Sequence, residues 1–281
     1  MYDVRVRLAR VFPSRTKATP TDELCFFGPP GFFPPEVDEV HVSVTFTWDI
    51  SYAKKLAVEW ADVAPVKIGG PAMGTPGGQF VADRYLKTGY TITSRGCRNR
   101  CWYCSAWKRD GDTKEYEIVP GWNVQDDNLL ACSEKHIRSV FSMLSKQKKR
   151  AEFTGGLEAK LLRPWHVELL SALRPNQMFF AYDTPDDLGP LKKAAAMLTS
   201  AGFTRNQMRC YVLIGYPKDT LGGAEERLES VMRLRFCAMA MLWRDDAGSP
   251  KNPGWARFQR NWASPCIIHQ RRGGLWPVKE D

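Results

Sequence analysis

Apolar positions along this chain recur with two periods, and the two periods alternate. Near the N-terminus, residues 4–11 and 40–46 (VHVSVTF) switch between apolar and polar side chains as strands do. Ile50, Ala53, Leu56, Ala57 and Trp60 instead fall on one face of a helix over 49–60. A short strand over 65–68 then ends in GGPA, so strand, helix and strand form a βαβ-like unit of a parallel sheet. From residue 90 the alternation becomes regular. Strands are predicted at 90–94, 122–126, 152–154, 178–182, 210–215 and 238–243. Helices are predicted from Ser133 as N-cap to about Lys148, from Pro164 as first helical residue, over about 187–201, and over about 221–234. Six βα units in succession predict an α/β protein whose parallel sheet curves into a partial (β/α)6 TIM-type barrel.

Two stretches fall outside this pattern. FFGPPGFFPP at 26–35 cannot be regular structure, because proline removes donors and fixes φ; its phenylalanines predict a loop pinned on an apolar surface. After Asp245, Trp255, Phe258, Trp262 and Trp276 interleave with Arg257, Arg260, Arg271 and Arg272, with no sustained period. Such a mixture can line a nucleic-acid groove; a lid over the open side of a barrel is the preferred expectation.

Composition narrows the class. The 281 residues are 43% hydrophobic and 25% charged, which suits one large domain or a large and a small one. No apolar run is long enough to span a bilayer, and the N-terminus reads as a strand, not a signal peptide. Cys25, Cys132, Cys210, Cys237 and Cys266 are isolated, unlike a secreted disulfide framework, so a cytoplasmic location is expected. The formal charge of +9 permits an anionic substrate, nucleic acid included. The basic run at 146–150 reads as a solvated helix terminus.

Candidate chemistry concentrates after the first strand of the regular region. TITSRGCRNRCWYCSAW carries Cys97, Cys101 and Cys104 with spacing C-x3-C-x2-C, in a polar loop where three thiolates can converge. Three are one short of a closed zinc site or a fully Cys-ligated cubane, which suggests chemistry more than a structural staple. A zinc knuckle completed by a His or by Cys132, and a dithiol at Cys101 and Cys104, are the plainer readings. No second Cys-x-x-Cys follows at zinc-finger spacing, and Cys97 has no role in a dithiol.

The loop resembles the signature C-x3-C-x-φ-C of the radical S-adenosylmethionine (radical SAM) enzymes, with Tyr103 at the aromatic position. The resemblance implies that Cys97, Cys101 and Cys104 hold a [4Fe-4S] cluster whose unique iron chelates SAM, and that Tyr103 packs near the adenine. It implies reductive cleavage of SAM to methionine and a 5′-deoxyadenosyl radical, with an electron donor of flavodoxin or ferredoxin type. No catalytic side chain beyond the cluster ligands is assigned. At the strand ends, where barrel chemistry collects, Asp126, Asp127 and Asn128 stand where family members hold the SAM ammonium group, with an Asx turn as the plain alternative. Gly155, Gly156 and Glu158 superficially match the family's Gly-Gly-Glu motif, with an extra Leu157, and compete for that role. Asp183 is placed near the ribose or methionine portion, or at a helix cap; Ile214 and Gly215 resemble the strand whose backbone meets the adenine. Arg244 is a candidate partner for a carboxylate.

The wording of 40–72 resembles the cobalamin-binding domain that precedes the barrel in one subgroup. The region is short, and the D-x-H-x-x-G cobalt-ligand motif is absent; His41 is outside any such pattern. The reading is a degenerate, Rossmann-like domain not expected to need cobalamin, although some family members bind it without the histidine. The organisation expected is 1–89 as this truncated domain, 90–246 as the radical SAM barrel and 247–281 as lid or extension. A non-catalytic, metal- or cluster-bearing nucleic-acid-binding protein is the alternative. The substrate is not legible.

Overall fold

The computed structural model describes residues 6–245, 252–263 and 268. Asp246, Cys266, Arg271, Arg272 and Trp276 lie outside the described residues, as does most of the expected C-terminal lid. The protein is mixed α/β, built on two parallel sheets. The first contains β1 (Leu8–Phe12), β2 (Cys25–Phe27), β3 (Glu39–Ser43) and β4 (Val66–Gly69), in the order β2-β1-β3-β4, with α1 (Ile50–Glu59) crossing from β3 to β4. Alternate residues of these strands, Ala9, Val11, Val40 and Val42, meet Ala53, Leu56 and Trp60 in one core. The Trp60 indole is fully buried and donates to Gly28 O at 3.0 Å.

After β4 the chain passes through β5 (Tyr90–Thr91), β6 (Ser94–Arg95), α2 (Ala106–Asp110), β7 (Lys114–Glu115), β8 (Asn123–Val124), α3 (Glu134–Ser145), β9 (Glu152–Phe153), α4 (Pro164–Leu173), β10 (Gln177–Tyr182), α5 (Leu188–Ser200), β11 (Met208–Ile214), α6 (Leu221–Arg233), β12 (Cys237–Leu242) and α7 (Pro253–Asn261). The second sheet has the order β12-β11-β10-β9-β8-β5 with every pair parallel. Because each strand lies beside its predecessor, crossovers of one hand place the connecting helices on one face. Period-two alternation decides what each face receives. Met178, Phe180, Tyr182, Cys210, Val212 and Ile214 point into the core with Ile137, Val140, Leu191, Leu198, Leu228 and Val231 of the helices. The intervening Gln177, Phe179 and Tyr211 line a cavity of about 1230 Å³ whose other wall is the first sheet.

Most expected elements are present: Ser133 caps α3, its hydroxyl accepting from His136 N, and Pro164 opens α4. Three expectations are corrected. The strand expected at 90–94 stops at Thr91, because Thr93 N is given to the Asp126 carboxylate and Ser94–Arg95 turns to pair antiparallel with β7. Phe26 and Phe27 lie in β2, and Phe32 and Phe33 are fully exposed, so 26–35 is neither wholly irregular nor pinned. The segment after residue 252 does carry a helix, α7, whose Trp255 and Phe258 pack on the main core while Arg257 and Arg260 face solvent. The basic run at 146–150 is a largely exposed helix terminus just past α3, as expected, with Lys149 over the Trp122 ring at 4.3 Å and Arg150 Nε donating to Arg174 O at 2.9 Å. No helix among the described residues is long and apolar enough to cross a membrane.

The buried indole gives a test of the first core. Trp60→Ala is expected to cost about 3–5 kcal/mol, whereas Trp60→Phe, which keeps a ring but loses the bond to Gly28, is expected to cost about half as much or less. Denaturant midpoints of the two variants check the order.

Candidate functional site

The polypeptide leaves β5 into the cysteine loop because a buried carboxylate interrupts the ladder. Asp126, at the end of β8 and 1% exposed, accepts from Thr93 N at 2.6 Å, Thr93 Oγ1 at 2.6 Å and Ser94 Oγ at 2.8 Å. Burial raises its pKa against the opposing effect of these donors. The next residue holds the loop itself: Asp127 Oδ2 accepts from Gly96 N at 2.8 Å, and Arg109 of α2 reaches Asp127 at 3.3 Å. Asn128 Nδ2 lies 3.5 Å from Cys97 Sγ and donates to Glu158 Oε2 at 2.6 Å. Asn99, inside the loop, donates to the same Glu158 oxygen at 2.9 Å. Glu158 therefore stands beside Cys97.

Gly155 explains how the third strand's end comes so close. A Cβ there would collide with the Asp126 backbone, so only glycine permits the approach of the two strand ends. Gly156 follows at φ 111°. The extra Leu157 is 3% exposed and anchors the turn in the core, leaving Glu158 to project toward the loop.

Within the loop, Cys104 N donates to Cys101 O at 3.1 Å, and the Trp107 indole donates to the same oxygen at 2.8 Å. Burial raises the Cys104 pKa, helped by Cys101, Asp127 and Cys97 nearby. Tyr103 lies between Cys101 and Asp183; burial first, then the Asp183 charge, push its hydroxyl well above the usual range. Asp183, at the end of β10, is itself raised to about 6 by burial and by Asp187. Trp102 is 53% exposed and meets Tyr216 and Trp243, with ring centroids 6.0 Å and 6.1 Å away, beyond β11 and β12. The loop thus spans the carboxyl ends of β8 to β12.

The expected site residues divide into three groups. Cys97, Cys101, Cys104, Tyr103, Asn128, Glu158 and Asp183 are brought together. Asp126 and Asp127 are there too, but their oxygens are engaged by the backbone of Thr93 and Gly96, the hydroxyls of Thr93 and Ser94 and the Arg109 guanidinium. Ile214 and Gly215 lie at the end of β11 with groups already engaged: Gly215 N donates to Asp219 Oδ2 at 2.7 Å, and Ile214 O accepts from Trp243 N at 2.9 Å. Among the described residues Arg244 meets no carboxylate and its Nε has no partner; its guanidinium lies 3.7 Å from the Trp48 ring centroid. His41 is a strand residue of β3, with its ring nitrogens against Tyr85 Oη at 2.5 Å and Glu39 Oε2 at 3.0 Å, leaving none for a cobalt ion. Asn99 and Arg109 were not singled out from sequence, although one lies between cysteines and the other on the helix directly after them.

Among the described residues, no group of three or more His, Cys, Asp or Glu side chains is arranged to hold a single metal ion. One zinc ion would need its thiolates gathered about 2.3 Å from a common point. A cubane assigns each thiolate to a different iron, so its ligands stand wider apart. No family model matches the chain, and no curated protein matches it.

Asp183 supplies a pH test. Its pKa rises from 3.8 to about 6 on folding, so the folded form holds a proton that the unfolded form releases. That contribution to stability is complete below the unfolded value and is lost as pH rises through about 6. Wild-type stability relative to Asp183→Asn, read from denaturant midpoints without added cofactors, is expected to fall between about pH 4 and pH 6.

Proposed function

We propose that the chain is a radical SAM enzyme, with a [4Fe-4S] cluster held by Cys97, Cys101 and Cys104. One observation carries this: a C-x3-C-x2-C loop lies across the carboxyl ends of a sequentially ordered parallel sheet, against Glu158, Asn128 and the Tyr103–Asp183 pair. Strands neighbouring their predecessors, with helices on one face, match the connectivity of an open (β/α)6 barrel, and chemistry at strand ends is what such a barrel favours. Three thiols in one loop suit the donor set of a cluster with one open iron, and a buried Asn128 Oδ1 beside Cys97, without a partner among the described residues, leaves an acceptor for a cofactor donor. When bound, the cluster supplies the electron and the open coordination site for reductive cleavage of SAM.

The protein's own residues then have distinct tasks. Asp126 and Asp127 hold the loop, and their acceptors are occupied. Among the described residues Glu158 uses only Oε2, so Oε1 is the carboxylate oxygen available to an ammonium group. This moves the ammonium role from the Asp126–Asn128 cluster to Glu158. Tyr103, fixed by Asp183 and Cys101, offers its ring beside the thiols. The four-stranded unit serves as a degenerate cobalamin-type domain used without cobalamin, consistent with the engaged His41 nitrogens. An electron donor of flavodoxin or ferredoxin type is the required partner. The nucleic-acid-binding alternative rests on the basic charge and the C-terminal aromatics, of which Trp255 and Phe258 pack on the main core.

Anaerobic reconstitution with iron and sulfide, followed by electron paramagnetic resonance of the reduced protein, tests the assignment. The expected result is a [4Fe-4S]⁺ signal perturbed by SAM, with SAM cleavage abolished by Ser at each of the three cysteines. Bound zinc with no cluster signal would overturn it. Glu158→Gln is expected to keep the cluster signal and weaken SAM binding by roughly ten- to hundredfold, the loss of one charge-assisted bond; equilibrium binding of SAM to the reconstituted variant checks this.

A further inference from the structure

The cavity between the two sheets, about 1230 Å³, is larger than most small-ligand pockets, which hold about 300–1,000 Å³. Its walls differ in chemistry. The wall from the six-stranded sheet presents the rings of Tyr90, Phe179 and Tyr211, the last two stacked with centroids 4.9 Å apart. Among them lie the side-chain amides of Gln125 and Gln177, which make no hydrogen bond among the described residues. The other wall and its rim are cationic, with Lys17, Lys67 and Arg84 exposed at the mouth and Arg95 inside.

Arg95 is the decisive side chain. Its side chain lines the cavity, with Nε buried against Gly77 and without a hydrogen-bond partner among the described residues. The guanidinium lies so close against Gly77 that a Cβ there would collide with it. Gly77 is fixed on both sides, its N–H donating to Asp110 Oδ1 at 2.7 Å and its carbonyl accepting from Tyr116 Oη at 3.2 Å. What the cavity receives is the charge of the Arg95 guanidinium, which lines it and meets no carboxylate among the described residues; an anion or a carbonyl brought into the cavity answers that charge. The acids nearby do not cancel the field. Glu152, the one carboxylate lining the cavity among the described residues, accepts from Asn123 Nδ2 at 3.1 Å and Asn176 Nδ2 at 2.7 Å. Glu39 offsets Lys67, at 2.9 Å, and also meets His41. Lys17, Arg84 and Arg95 have no acidic partner among the described residues.

We infer that this cavity binds a small organic anion carrying a planar ring, with its anionic group at Arg95 and its ring on the Tyr90–Phe179–Tyr211 wall. A ring alone would leave the cations unanswered, and a bare inorganic ion would leave the aromatic wall and most of the volume unused. Calling this ligand the substrate rests on the radical SAM reading; the binding itself does not.

A pair of probes that differ in one sulfonate tests the inference: 8-anilinonaphthalene-1-sulfonate and the neutral N-phenyl-1-naphthylamine, titrated by fluorescence against the folded chain. The sulfonate is expected to fill one saturable site about tenfold more tightly than the amine. Arg95→Gln is expected to remove that preference while leaving the amine's affinity unchanged. Should Arg95→Gln fail to fold, the surface variant Lys17→Gln/Lys67→Gln/Arg84→Gln is expected to reduce the preference in the same direction. Equal affinity for both probes, no saturable sulfonate site, or a preference indifferent to every substitution would overturn the inference. The variant with Ser at Cys97, Cys101 and Cys104 is expected to bind the sulfonate as wild type does. Failure of cluster assembly in the wild type, with sulfonate binding intact, would sink the enzymatic reading and leave the binding site standing.

Discussion

The carboxylate of Asp126 sets the geometry on which the candidate site depends. A buried anion in a parallel sheet is stabilised only if donors converge on it. Here the donors are Thr93 N, Thr93 Oγ1 and Ser94 Oγ, and His136 Nε2 lies 3.1 Å from Thr93 Oγ1. Giving Thr93 N to a side chain ends the β5–β8 ladder after two residue pairs and releases the chain sideways. That release starts the cysteine loop. Gly155 completes the arrangement by letting β9 end directly against the Asp126 backbone, which brings Glu158 to Cys97.

The six-stranded sheet serves three environments with one alternation. One set of side chains builds the core under the helices, the opposite set lines the cavity, and the residues just past each strand meet the cysteine loop. The alternation explains why Phe179 and Phe180 are adjacent in sequence yet face the cavity and the core respectively. It also explains why carboxylates near the loop have different capacities for a cofactor. Asp126 and Asp127 follow β8 so closely that their oxygens meet backbone and hydroxyl donors of the loop's first residues, whereas Glu158 follows a turn and keeps one oxygen without a hydrogen bond among the described residues.

Strand and helix order from residue 90 was legible because apolar spacing differs so clearly between strands and helices there. Ile137, Val140, Phe141 and Leu144 mark α3, and Leu191, Ala194, Ala195 and Leu198 mark α5, at helical spacing. Short ladders were not legible. β6 and β7 hold two residues each, and their pairing of Ser94 with Glu115 spans the whole cysteine loop, so no local period announces it. β2 has three residues and joins β1 in parallel, its Cys25 opposite Arg10, beside the ion pair of Arg10 with Asp22. α7 was hidden by composition: Trp255, Phe258 and Trp262 do fall at helical spacing, but the intervening arginines and flanking prolines weaken the signal. Among the candidate site residues, that the three cysteines share one loop was legible from their spacing. The division of labour among Asp126, Asp127 and Glu158 was not, because it depends on which acceptors the fold has already used.

The cysteine loop and the cavity are joined by a continuous set of polar contacts. Gly96 N binds Asp127, Asp127 meets Arg109, Arg109 Nε pairs with Asp110 at 2.6 Å, and Asp110 binds Gly77 N, against which Arg95 lies. The Arg109–Asp110 pair is buried, with side chains 10% and 2% exposed. A buried pair is costly to break on one side, because the remaining charge loses its partner without regaining water. The position of Gly77, and with it the slot for Arg95, is therefore tied to the same aspartate that holds the start of the cysteine loop. Arg95 itself directly precedes Gly96, so the residue facing the cavity and the residue anchoring the loop are neighbours in the chain. The cation proposed to answer an anionic ligand is thus placed by the constraint that places the three thiols, and the proposed ligand and cluster would need no separate scaffold to meet.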